Sequence, residues 1–201
     1  MKKIITFLIL IISLSLFSQK RISIKGKLFF SQEFYTNFSN LLVKIDGSKE
    51  YIKIKEDGKF EIITPTKKKN YKLQFYYGNI LFREFNYEHK WTNRDRVKSI
   101  SLATSCEVSK SVARKEFKEK KKFRIYIFNR LDTLILSKKD KKFQKETNSK
   151  FVKITYCDIN KFECYLDYNL MIYKHLLFSN KRNYLDKIRK DVIGYRYINN
   201  N

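Results

Sequence analysis

The chain has 201 residues, 44 of them Lys or Arg against 20 Asp or Glu, for a formal net charge of +24. With 43% hydrophobic and 16% aromatic residues it can bury a core, which excludes a globally disordered chain. The length suits one large domain or two small ones, and the five glycines are too scattered to form a phosphate-cradling loop.

The start, MKKIITFLILIISLSLFSQK, sets Lys2 and Lys3 before an apolar run from Ile4 to Ile12 that only Thr6 interrupts, followed by Ser13, Ser15 and Ser18. This is the layout of a secretory signal peptide. The apolar stretch from Ile4 to Phe17 is shorter than the ~20 residues that span a bilayer. Cleavage is expected after Ser18 or Ser15, with residues 1–18 as the leader. The expected destination is the periplasm or cell envelope, or the medium. No cysteine near the cut could accept a lipid, and no later segment is apolar enough to span a membrane. Without Lys2 and Lys3 the mature chain keeps +22. Such a charge fits an anionic partner, a glycan or nucleic acid. It also fits composition alone: Lys, Asn, Ile, Phe and Tyr are abundant and Pro, Ala and Gly scarce, as AT-rich coding would give. Lys far exceeds Arg, whereas a surface built for bidentate phosphate contact favours Arg.

From Arg21 to Leu102 the pattern predicts strands. RISIKGKLFF alternates at Ile22, Ile24 and Leu28. LLVKID and YIKIK flank Asp46-Gly47, a two-residue turn signal, and Asp57-Gly58 repeats it before KFEII. YKLQFYY and ILFREFNY flank Gly78-Asn79, and VKSISL supplies a last strand. Pro65, the only proline, falls in the TPTKKKN connection. About seven short strands of this kind predict a small antiparallel β-sandwich.

Gly26 in the first strand, VKIDG, the turn Asp57-Gly58-Lys59-Phe60 and the late YKLQFYYG together resemble the carboxypeptidase regulatory-like domains. These are transthyretin-like sandwiches common in secreted and envelope proteins of bacteria. The resemblance covers residues 20–102. It implies that Phe60 is a core residue and that the module is accessory, with no catalytic residue to carry over. The loop that the family makes proline-rich is here SQEFYTNFSN.

After Leu102 the rhythm changes. EVSKSVARKEFKEK predicts a helix with Val108, Val112 and Phe117 on one face, capped by Ser105, with Glu107 in its first turn. KFRIYIF reads as a buried strand, LDTLIL is ambiguous, SKKDKKFQKET reads as an exposed helix anchored by Phe143, and KFVKITY as another strand. KFECYLDYNLMIYKHLLF sets Phe162, Leu166, Leu170, Tyr173 and Leu177 at helical spacing. KRNYLDKIRKDVIGY adds Leu185, Ile188 and Val192, with Gly194 as a stop. Residues 103–197 are therefore expected to form a small α/β domain of two roughly parallel strands joined by a crossover, closed by two C-terminal helices. Cys157, Cys164, the Tyr168-Asn169 pair and the closing Arg189-Lys190-Asp191-Val192-Ile193-Gly194 resemble the C-terminal segment of uncharacterised secreted bacterial proteins that carry a regulatory-like sandwich. No activity is implied by that likeness. The expected fold class is α+β: a seven-stranded antiparallel transthyretin-like sandwich followed by a small α/β unit.

The chemistry-bearing residues are few. Cys157 and Cys164, at a strand-to-helix corner, are expected to form a disulfide in an oxidising compartment, with Cys106 replacing one of them as the alternative. Their spacing is not the CxxC of thiol exchange. His175 lies eleven residues beyond Cys164, ~16 Å along a helix, too far to share a zinc ion with it, so no metal is expected. There is no GxSxG or SxxK, Asp57 reads as a turn residue and Asp158 as a cap, and no catalytic residue or cofactor is expected. Two lysine triplets, Lys67, Lys68, Lys69 and Lys120, Lys121, Lys122, form the candidate basic patch. The interleaved Phe117, Phe123 and Phe143 sit at core spacing and read as buried anchors. The function expected is a non-enzymatic structural or interaction module of the cell envelope, with an envelope protein as partner. A Lys-rich binder of anionic polymer is the alternative.

Overall fold

The structure is a computed structural model that describes residues 21–65, 68–89, 97–101, 105–129, 133–179 and 182–199. The leader expected over residues 1–18, and Lys67, lie outside the described residues. The fold is mixed α+β, and the chain divides into two compact units. One takes the chain up to Phe29 and then Asn40–Ser101; the other takes Phe30–Ser39 and Leu102–Asn201.

The first unit has two sheets. Strands β1 (Ile22–Leu28), β2 (Leu41–Ile45), β3 (Ile52–Lys53), β4 (Lys59–Thr64), β5 (Asn70–Tyr77), β6 (Ile80–Glu88) and β7 (Lys98–Ile100) assemble in the orders β4-β1-β7 and β3-β2-β5-β6. Period-two alternation buries Ile22, Ile24 and Leu28 from β1, Phe60 and Ile62 from β4, and Tyr71, Leu73 and Phe75 from β5. Phe60 and Phe75, from different sheets, meet edge to face at 5.9 Å between centroids. One expectation needs correcting: the strands are not all antiparallel, because β7 lies parallel to β1, with Gly26 opposite Lys98. The chain leaves β6 in one sheet and returns to the other, so no tight hairpin forces it to run back.

Two residues from the resemblance motif have a physical account. Gly58 has φ +82°, which suits glycine, and the Asp57 carboxylate accepts the Lys59 N–H at 3.0 Å to close the turn. Gly26 stands opposite Phe60 in the β1–β4 register, and a side chain on it would run into the Phe60 ring. Gly26→Ala is therefore expected to push Phe60 off Phe75 and cost about 1–3 kcal/mol. A lowered urea midpoint would report this, and an unchanged one would show that Phe60 has room to yield.

The second unit is built on a parallel pair, β8 (Phe123–Phe128) and β9 (Ser149–Ile154), joined by a crossover helix (Lys138–Thr147). Before it comes helix α1 (Gln32–Asn37), supplied by the SQEFYTNFSN segment, then α2 (Lys110–Lys118). The crossover is α3, the long helix Phe162–Phe178 is α4 and the short Arg196–Asn199 is α5. Ser137 and Asp140 form a reciprocal capping box on α3, and Phe143 is its buried anchor. The α2 cap is Ser109, whose hydroxyl accepts the Val112 N–H, not the expected Ser105, and Glu107 lies ahead of the helix.

α4 buries Phe162, Leu166, Ile172, Tyr173 and Leu176, while Leu177 at its end is exposed. The last expected helix is absent. Arg182–Lys187 form a 3-10 turn, and Val192 bridges antiparallel to Ile127. The Phe128 N–H donates to Asp191 O, and the Ile193 N–H to Tyr126 O. Leu185, Ile188 and Val192 are buried as the spacing required, but the segment after Lys187 runs as turns held to the open edge of β8 by one isolated bridge at Val192. Gly194 ends it at φ +88°, with Tyr173 and Leu166 packed where a side chain would stand.

Candidate functional site

The chemistry-bearing residues of the C-terminal segment are used inside the second unit. Cys164, buried in the first turn of α4, is bonded to Cys106, with Cα atoms 5.6 Å apart, and Cys157 is free and exposed. The expected Cys157–Cys164 bridge is thus corrected. Cys157 lies on the outer side of the 3-10 turn Tyr156–Lys161, whereas Cys164 faces the segment that leads into α2. Asp158 caps that turn, accepting the Thr155 N–H at 3.1 Å.

Asn169 is fully buried. Its amide oxygen accepts the Tyr126 N–H at 2.9 Å, and its NH2 donates to Tyr126 O and Ile193 O, both at 2.8 Å. Tyr168, also fully buried, donates its O–H to Glu116 and accepts the Arg124 N–H, while Arg124 pairs with Glu116. Burial, reinforced by the bond to Glu116, holds the Tyr168 phenol well above its ordinary range, and burial pushes Tyr165 up to about 12. Arg189 forks onto Asp191 and reaches Asp140 at 3.0 Å. The Tyr-Asn pair and the RKDVIG segment thus lock helices to the edge of β8.

Two carboxyl groups hold α1 in this unit, and sequence reasoning passed over both. Ser31 donates its N–H and its hydroxyl to Glu163 Oε1, both at 2.8 Å. The Gly194 N–H donates to Glu33 Oε1 at 2.6 Å, while Glu33 Oε2 is buried with no hydrogen-bond partner among the described residues. A cleft of about 290 Å³ lies beside Glu33, rimmed by Thr36, Asn37, Lys190, Tyr195 and Arg196. Desolvation raises both carboxyl pKa values above the ordinary 4.5. The bond from Gly194 and the charge of Arg196 partly offset this for Glu33, and the bonds from Ser31 for Glu163. A group raised on folding contributes stability that is complete below its unfolded pKa and is lost as pH rises through its folded pKa. The contribution of Glu33 and Glu163 to wild-type stability is therefore expected to be lost as pH climbs above 4.5. Glu33→Gln, neutral throughout, should gain on wild type over the same climb. Melting curves from pH 4 to 7 check this, and parallel profiles for the two proteins would contradict it.

The first unit carries a cleft of about 380 Å³ between the β2–β3 turn and the end of β4. Its lining includes the carboxylates Asp46 and Glu50, the cation Lys68, and the apolar Ile45, Ile52, Ile62, Ile63 and Tyr71. Ile63 is 55% exposed, high for a strand residue of its size. The candidate basic residues do not converge on this cleft. Lys68 lines it, but Lys69 pairs with Glu88 at 3.7 Å. Lys120, Lys121 and Lys122 belong to the second unit, where Lys121 pairs with Glu119 at 2.6 Å. Phe123 and Phe143 are buried, and Phe117 stacks on His175 at 4.1 Å, so all three act as anchors. Among the described residues no cluster of His, Cys, Asp and Glu is placed to hold a metal, and no helix is long and apolar enough to cross a membrane.

Comparison of the chain with protein-family models, curated proteins and solved structures gives no match.

Proposed function

We propose that the chain is an exported, non-enzymatic interaction module of the cell envelope, in which a transthyretin-like sandwich presents the recognition surface and a disulfide-stapled α/β unit has a structural role. The observation that carries the reading is the Cys106–Cys164 bond in a chain that opens on a signal-like leader. Such bonds persist in oxidising compartments. The two sheets of the first unit, with Phe60 over Gly26 and against Phe75, support the likeness to the regulatory-like domains. The buried Tyr168 and Asn169 and the half-buried Arg124 support a structural role for the second unit, because their polar atoms bond to its own backbone and acids.

The test is fractionation and cross-linking in intact cells. A chain lacking its leader, recovered from the envelope and cross-linked to a discrete protein, is the expected result. A cytosolic chain with its leader intact would overturn the reading. So would turnover in a substrate-class screen with no cross-linked partner.

A further inference from the structure

The geometry points to the open edge of β4 as a docking site for an extended segment of a partner protein, one that places an apolar side chain in the adjoining cleft and a lysine or arginine against Asp46 and Glu50. The inference rests on the reading of the chain as an interaction module and names what that module recognises.

The edge follows from the register. In an antiparallel ladder, alternate residues turn both N–H and C=O toward one neighbour. The Leu28 N–H donates to Gly58 O at 3.0 Å, so with Gly26 opposite Phe60 and Ile24 opposite Ile62, these even-numbered positions of β4 bond to β1. Lys59, Glu61 and Ile63 turn their groups the other way. Lys59 O is taken by the Lys55 N–H at 2.9 Å, where the chain turns the corner from β3 into β4. The groups of Glu61 and Ile63 have no backbone partner among the described residues. Pro65, without an N–H, ends the edge. β4 is thus an outer strand with two residues ready to pair, and unpaired strand edges are templates for added strands.

The cleft supplies selectivity. A side chain paired opposite Ile62 turns inward, toward Ile45, Ile52 and Tyr71, while one opposite Ile63 covers its exposed face. Charge chooses the flanking residue. Acids elsewhere on the strands are paired, Glu84 with Lys72 and Glu88 with Lys69. Asp46 and Glu50 are exposed and have no ion pair among the described residues, in a chain with more than twice as many cations as acids. The two carboxylates at one cleft, without an ion pair among the described residues, favour a basic side chain beside them, against the repulsion of Lys68 on the same cleft.

The probes are synthetic seven-residue peptides of alternating Val and Thr with a central Ile. One form carries an adjacent Lys, a second an adjacent Glu, and a third the Lys with N-methylated alternate amides. Each is titrated into the full chain and followed by amide chemical shifts. The Lys peptide is expected to bind and shift the amides of Glu61 and Ile63, with the Glu peptide at least about tenfold weaker and the N-methylated one silent. Ile63→Pro should abolish binding, and the double change Asp46→Lys, Glu50→Lys should reverse the charge preference. Binding equal for all three peptides, no binding at all, or self-association of the chain through this edge would overturn the proposal. A cross-linked partner that survives Ile63→Pro in cells would sink the edge and leave the module reading standing. Absence of any partner for wild type would sink the module reading itself.

Discussion

Replacing Cys106 and Cys164 together by serine is expected to cost the second unit about 4 kcal/mol of stability. The bond spans 58 residues of sequence, and the loop-closure entropy removed from the unfolded chain for a loop of that length amounts to about that much. The bridge ties the segment ahead of α2 to the first turn of α4, so its loss frees the start of a short helix whose remaining ties to α4 include the exposed pair of Lys110 and Asp167, 3.0 Å apart. Surface pairs of that kind contribute about 0–1 kcal/mol, too little to replace the bond. Hydrogen exchange should show lost protection across Lys110–Lys118, with the strands of the first unit, which has no cysteine, unchanged. A loss below about 1 kcal/mol would mean that strain in the bond cancels its gain.

Asn169→Ala is expected to cost about 3 kcal/mol, and Asn169→Asp more. Alanine leaves the Tyr126 N–H buried without an acceptor. Tyr126 O and Ile193 O each keep one donor, the Ile193 N–H and the Tyr173 hydroxyl. One orphaned buried donor costs about 1–3 kcal/mol, and the emptied space adds to it. Aspartate keeps the shape but points an acceptor at two carbonyls and buries a charge without a counter-ion. Urea unfolding of the two variants gives the ranking. Asp equal to or milder than Ala would contradict the assignment of the NH2 group as donor to both carbonyls.

What the sequence could disclose follows the range of the forces involved. Turn chemistry is local, and the Asp46-Gly47, Asp57-Gly58 and Gly78-Asn79 signals all fall at turns with glycine in the left-handed region. Binary pattern is nearly as local. It placed β8, α3 and β9, and the parallel crossover follows from their order. The SQEFYTNFSN helix was also within reach: Phe30, Phe34 and Phe38 recur every fourth residue behind a Ser31 cap, and Phe34 and Phe38 pack on Phe162. The strand-rich sequence on either side masks that period. Leu185, Ile188 and Val192 have helical spacing and are buried, yet pairing with β8 overrides helix at Asp191–Ile193, because the unpaired edge groups of Tyr126 and Phe128 need partners. The cysteine pairing is the alternative in which Cys106 replaces Cys157. Spacing favoured the near neighbour Cys157, and only the packing of α2 on α4 brings Cys106 to Cys164. Glu33 and Glu163 had no signal, since their partners lie 161 and 132 residues away.

The most direct test of an exported, disulfide-stapled module is non-reducing peptide mapping of the chain isolated from the envelope fraction after alkylation of free thiols. The expected map begins at Gln19 or Leu16, links the Cys106 peptide to the Cys164 peptide, and shows Cys157 alkylated. An intact Met1 start with three alkylated cysteines, or a link between Cys157 and Cys164, would contradict the account.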